Sequence, residues 1–154
     1  MGQVARFIAD IEPYSLVALD TSPFIYHLEE HPRYADLTQA LFERIERGEL
    51  SAITSVLTLT EVLTLPKRLG DRRLAEAYRQ ALHMFPNLAI VAIDEDIAER
   101  AADLRAQFGL RTPDALQLAV ALQAQAQAFI TNDVTLKKVT DITVLVLADY
   151  AISP

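Results

Sequence analysis

The chain has 154 residues, 51% of them apolar and 23% charged, which suits one globular domain with a full hydrophobic core and excludes a disordered polyelectrolyte. It contains no cysteine, so disulfides, thiolate catalysis and cysteine-ligated zinc or iron–sulfur centres are excluded. Its 21 acidic and 14 basic residues leave a net charge of -7, which argues against strong general attraction to a polyanion but leaves room for bound cations and local basic clusters.

The opening segment MGQVARFIADIEP mixes charges with apolar positions and lacks the continuous apolar run of a signal peptide. Val4, Phe7, Ile8 and Ile11 predict a short amphipathic helix. Residues 1–15 thus read as an N-terminal extension packed on a domain spanning 16–154. Residues 16–19 form a buried strand ending at Asp20, and Pro23 sits early in a helix behind Ser22. Residues 35–47 carry Leu37, Leu41, Phe42 and Ile45 at helical spacing, closed by Gly48.

A second strand covers 51–54. The helix after it has Leu57, Val62 and Leu65 directed to the core, with Pro66 near its end. A further helix, about 72–85, turns Leu74, Ala77, Tyr78, Ala81 and Leu82 inward. Residues 88–93 give the third strand, and Asp94 caps a helix running to Phe108. Thr112 and Pro113 supply an N-cap oxygen and a proline start for a helix to about Gln125. Strands at 128–131 and 142–147 follow, with a short helix or turn near 136–139 between them. Strands interleaved with helices predict an α/β domain whose central, mostly parallel five-stranded sheet is flanked by helices. The longest apolar run outside the N-terminal segment, 88–93, is too short to span a bilayer. A soluble cytoplasmic protein with no membrane partner is the expectation, and the lack of cysteine suits that compartment.

Four carboxylates bear on function. Asp20 ends the first strand in VALDTS, Glu61 interrupts the apolar-threonine run SVLTLTEVL, Asp114 opens the helix of RTPDALQLAVAL, and Asp133 follows the strand in FITND. Sites in open parallel sheets form beyond the carboxyl ends of the strands, so all four share a predicted rim. Four converging negative charges need a hard cation between them. The chemistry such a cation serves most naturally is hydrolysis of a phosphate ester. Each acid also has a structural alternative: Asp114 as a first-turn residue, Asp133 as an N-cap or Asx-turn residue, Asp20 as a turn stabiliser, and Glu61 on a solvent-facing edge.

The segments VALDTSPFIYHLE, LTLTEVLTLPKRLGD, TPDALQLAVAL and FITND, in that order, resemble the PIN-domain nucleases, most closely their VapC-type toxin branch. The resemblance runs from Val17 to about Leu147. It aligns Asp20, Glu61, Asp114 and Asp133 with the family's four acids, Thr21 or Ser22 with the small polar position that steadies the first, and Thr131 with the hydroxyl beside the fourth. The departures are a longer extension before residue 16 and a serine at 22 where asparagine is also common. The resemblance implies a metal-dependent endoribonuclease leaving 5′-phosphate and 3′-hydroxyl ends, a homodimer, and pairing with an antitoxin protein.

Carboxylate oxygens suit Mg²⁺ or Mn²⁺, one ion or two. Asp20, Asp114 and Asp133 would hold the principal ion, and Glu61 would complete its shell or orient the attacking water. Arg111, Lys67, Arg68, Lys137 and Lys138 are candidate contacts for RNA phosphates, with solvated surface charge or local ion pairs as the alternative.

Rival readings fit less well. Haloacid-dehalogenase-type phosphatases need a second aspartate where Ser22 stands, receiver domains need an acidic pair at the first strand, and four scattered glycines cannot build a dinucleotide loop. His27 and His31 lie four apart, but Pro32 follows and no HExxH motif accompanies them. A PIN-like protein or RNA interaction module with feeble catalysis, and a housekeeping RNA-processing nuclease, remain functional alternatives.

Overall fold

A computed structural model describes residues 2–151. Five strands form one sheet: β1 (Leu16–Leu19), β2 (Ser51–Ser55), β3 (Leu88–Val91), β4 (Ala128–Thr131) and β5 (Thr143–Val146). Their order is β3-β2-β1-β4-β5, and every neighbouring pair is parallel. Val17 lies opposite Ala52 on one side and Ala128 on the other, so β1 is central.

Alternation along the strands divides the core in two. Val17, Leu19 and Ile130 face one side, where α1 (Gln3–Ile11), α2 (Thr21–Leu28) and α3 (Ala35–Glu46) supply Phe7, Ile11, Phe24, Leu37, Leu41 and Ile45. Ala18, Ile53 and Phe129 face the other, against α6 (Glu95–Phe108) and α7 (Thr112–Gln123), through Ile97, Ala101, Leu104, Ala115 and Leu118. The result is a three-layer helix–sheet–helix arrangement. Helix α1 is joined to the far end of the chain: Phe7 packs on Tyr150 with centroids 5.0 Å apart, and the Tyr150 hydroxyl donates to Asp10.

The connections set where a ligand can bind. From β1 the chain steps outward to β2 and β3, then returns to the other side of β1 for β4 and β5. The order therefore reverses between β1 and β4, and the loops beyond their carboxyl ends diverge to open a crevice.

Several local expectations change. Helix α2 starts at Thr21, before Ser22, and Asp20 caps it: its carboxylate accepts the Thr21 N–H at 2.9 Å. Helix α7 starts at Thr112 itself, behind Arg111, with no side-chain cap. In α4 (Val56–Arg68) the buried residues are Thr58, Val62 and Pro66, while Leu65 is 42% exposed and Leu57 is only half-buried. Its inner face can carry Thr58 because other polar side chains meet that hydroxyl. In α5 (Arg72–His83) only Leu82 is buried; Leu74 and Tyr78 are half-buried, and Ala77 and Ala81 are exposed. The apolar periodicity of α5 is real, but much of that stripe is left uncovered by the described residues.

Candidate active site

Asp20 stands at the reversal point. Its backbone N–H still donates to Ile130 across the β1–β4 seam, at 2.9 Å. Its two carboxylate oxygens are both engaged: one accepts the Thr21 N–H, and the other accepts the Thr131 hydroxyl at 2.7 Å. The Thr131 hydroxyl in turn accepts the Asp133 N–H at 3.1 Å. One fully buried threonine thus ties the ends of β1 and β4 together and fixes the first carboxylate.

The other acids arrive from separate elements. Glu61 projects from α4 and accepts the Thr21 hydroxyl at 2.8 Å. It is exposed, not drawn into the core. Asp114 lies in the first turn of α7, its side chain 16% exposed, with the Arg111 guanidinium 3.5 Å away. Asp133 caps the short 3₁₀ helix Val134–Lys138, accepting the Thr135 N–H and hydroxyl at 3.0 and 2.7 Å. Asp20, Glu61, Asp114 and Asp133 all line one cleft of about 560 Å³, with Arg111 at its wall.

These carboxylates perturb one another. Burial, helped by the smaller effects of the Asp114 and Glu61 charges, pushes the Asp20 carboxyl up to about 6 against the pull of the Thr131 and Thr21 donors. Burial also raises Asp114; Arg111 opposes the rise and Asp133 adds to it. A site in which Asp20 and Asp114 both resist ionisation gains from a positive ion. The donor set consists of hard oxygens, and the Ser22 hydroxyl, buried at the cleft wall, has no hydrogen-bond partner among the described residues. Mg²⁺ or Mn²⁺ fits such donors. Among the described residues no three histidine, aspartate or glutamate side chains are grouped so as to hold a metal ion by themselves; the acids border an open cleft.

Two supporting roles differ from the simple expectation. The Thr21 hydroxyl serves Glu61, while only its backbone N–H serves Asp20. The hydroxyl that steadies Asp20 is that of Thr131. The basic candidates separate. Arg111 borders the cleft with its side chain 82% exposed. Lys67 lines a different groove, between α4 and α5, and Lys137 is paired with Asp149. Arg68 and Lys138 are exposed. His27 packs on Phe42, while His31 lies against Tyr26 and Tyr34.

Sequence reasoning missed Gln117 and Asn132. Gln117 is buried and hydrogen-bonded to Ser55 and Thr58, with Thr21 also within reach. Its signal was a polar residue among the apolar residues of α7, three positions after Asp114. Asn132 lines the cleft, donating to the Tyr26 hydroxyl at 2.9 Å and accepting the Ala148 N–H at 2.8 Å. Its signal was its place directly before Asp133.

Solved structures with this fold include a toxin–antitoxin complex from Klebsiella pneumoniae, 26% identical, with a TM-score of 0.64 over 85% of this chain and 97% of that one. VapBC2 from Rickettsia felis, bound to a DNA fragment from its promoter, is 18% identical, with a TM-score of 0.64 over 84% and 97%. VapC20 from Mycobacterium tuberculosis, a sarcin–ricin loop cleaving toxin, is 20% identical, with a TM-score of 0.60 over 73% and 86%. The latter two are likenesses of fold. No curated protein matches the sequence. The PIN domain family matches residues 17–142, a span that holds all four carboxylates, and the chain belongs to that family.

Proposed function

We propose that this protein is a divalent-metal-dependent endoribonuclease that hydrolyses RNA phosphodiester bonds, and that it is the toxin of a toxin–antitoxin pair. The observation that carries the reading is the meeting of Asp20, Glu61, Asp114 and Asp133 in one cleft at the sheet's reversal point. Membership of the PIN family and similarity to toxin–antitoxin complexes support it.

In this reading Asp20, Asp114 and Asp133 hold Mg²⁺ or Mn²⁺, as one ion or two, directly or through water, and Glu61 completes the shell or orients the attacking water. The bound ion would offset the charge of the phosphate and make water a better nucleophile for in-line attack at phosphorus. Thr131 keeps the Asp20 carboxylate facing the cleft. Thr21 holds one oxygen of Glu61 and leaves the other free to accept a proton or a hydrogen bond from the attacking water. Arg111 is the cation nearest the acids and is the first candidate for a substrate phosphate contact; Lys67, Arg68, Lys137 and Lys138 would act only on RNA extending beyond the cleft. The protein's proposed partners are RNA, a second copy of itself and a small antitoxin protein, and its proposed compartment is the cytoplasm. No helix among the described residues is long and apolar enough to cross a membrane.

The test is cleavage of structured RNA, single-stranded RNA and DNA in Mg²⁺, Mn²⁺ and EDTA, with Asp20→Asn protein as the contamination control. Metal-dependent cutting of RNA that the variant lacks supports the reading. Equal cutting by folded wild-type and variant protein refutes it.

A further inference from the structure

We propose that Gln117 is a positioning residue for Glu61, acting through the Thr21 hydroxyl; its effect on catalysis rests on the nuclease reading above, whereas its effect on Glu61 does not.

Gln117 is 3% exposed and touches three elements at once. Its Oε1 accepts the Ser55 hydroxyl at 2.7 Å at the end of β2. Its Nε2 lies 3.0 Å from the Thr58 hydroxyl oxygen on α4 and 3.4 Å from that of Thr21 on α2. The Thr21 and Thr58 hydroxyl oxygens also lie 3.3 Å apart; each hydroxyl has one proton, so the shorter contacts decide where it goes.

The ladder between β1 and β2 ends at Ala18 and Ile53, and the Thr54 hydroxyl donates to the next carbonyl, Leu19, at 2.8 Å. With that proton committed, the 2.7 Å contact between Thr54 and Thr58 needs Thr58 as donor. Thr58 can then only accept from the Gln117 amide. From the other end, the Thr21 hydroxyl donates its proton to Glu61. Thr21 is thereby also an acceptor towards Gln117. Both branches independently turn the NH₂ group of Gln117 towards the threonines and its carbonyl towards Ser55.

The buried amide therefore acts as a two-pronged donor. One prong, through Thr58 and Thr54, locks α4 to the end of β1. The other reaches the acceptor side of Thr21, whose proton goes to the Glu61 carboxylate at 2.8 Å rather than to the more distant Thr58 hydroxyl at 3.3 Å. Glu61 is exposed and has no other hydrogen-bond donor among the described residues, so a glutamate on a solvated helix face would otherwise sample several rotamers. Outer hydrogen bonds of this kind hold site carboxylates in one orientation, and their loss costs about 10- to 100-fold in activity or metal affinity.

The test pairs kinetics with a resonance. In metal-free protein at fixed pH, the ¹³Cδ signal of Glu61, assigned by its loss in Glu61→Gln, should move in Gln117→Met and in Thr21→Val. It should stay in place in Thr21→Ser, which keeps the hydroxyl. RNA cleavage by Gln117→Met should lose about 10- to 100-fold in kcat with KM unchanged. Adding Gln117→Met to Glu61→Gln should cost nothing further. An unmoved Glu61 signal in Gln117→Met, or a further loss in the double variant as large as in the single, overturns the proposal. If Gln117→Met does not fold, Gln117→Leu carries the same two readouts: a moved signal and a loss in kcat support the proposal, and an unmoved signal overturns it. If the wild-type protein cuts no RNA, the nuclease reading fails and the resonance alone decides the role of Gln117.

Discussion

Replacing Asp20 with asparagine should make the metal-free protein more stable near pH 7.5 and should remove its response to divalent ions. Asp20 rises from 3.8 to about 6 on folding, chiefly through burial. A carboxyl whose folded value lies above its unfolded value favours the native state fully below 3.8, and that contribution is lost as pH climbs through about 6. Above that window the ionised group disfavours folding by about 3 kcal/mol. Asparagine removes the charge and retains the oxygen that accepts the Thr21 N–H, but it disturbs the Thr131 hydroxyl at a cost of about 1 kcal/mol. A net gain of about 2 kcal/mol corresponds to roughly 4–8 °C in Tm for a domain of this size. Scanning calorimetry in EDTA at pH 7.5 and pH 4 would measure it, with the gain confined to the higher pH. Adding Mn²⁺ at about 100 times its Kd should stabilise the wild type by about 2.7 kcal/mol and leave the variant unchanged. A variant less stable than wild type at pH 7.5 without metal, or equal stabilisation of both proteins by Mn²⁺, would refute the reasoning.

Asp114→Asn should abolish metal-dependent cleavage with an unchanged far-ultraviolet dichroism spectrum; retained cleavage by the purified variant would remove Asp114 from the metal site. Thr131→Val should lower stability by about 1–3 kcal/mol in urea, because a buried carboxylate loses its hydroxyl donor and the Asp133 N–H its acceptor; an unchanged midpoint would contradict the tie between β1 and β4. Arg111→Ala should raise KM for RNA, whereas Lys67→Ala, in the groove between α4 and α5, should not; the reverse pattern in steady-state kinetics would move the substrate track to that groove. A homodimer is expected at micromolar concentration, and a monomeric mass in light scattering would count against it.

The strands and the site acids were legible for physical reasons. β1 and β4 are buried on both faces, so they read as short unbroken apolar runs, and an acid immediately beyond such a run has few places to go except the strand end. Glu61 stood out as a charge in an apolar-threonine segment, although its exposure shows that it lies on a cleft wall and not in the core. The inner face of α5 was over-assigned because periodicity reports an apolar stripe and not what covers it; Ala77 and Ala81 remain exposed. The polar network was hidden for the opposite reason. Thr54, Thr58 and Gln117 occupy core positions that pattern reading reserves for apolar residues, and they can do so only because they satisfy one another.

The ends of the cleavage products test the central claim most directly. A ribonuclease that uses the RNA's own 2′-hydroxyl as nucleophile passes through a cyclic phosphate and leaves a 5′-hydroxyl, with or without metal. Attack by water forms no cyclic phosphate, and the resemblance to the PIN-domain nucleases implies that the 3′-oxygen leaves, giving a 5′-phosphate and a 3′-hydroxyl. The proposed function predicts 5′-phosphate ends, as the family resemblance implies, formed only with Mg²⁺ or Mn²⁺ and absent with Asp20→Asn protein. Cyclic-phosphate ends, or cleavage that persists in EDTA, would contradict it.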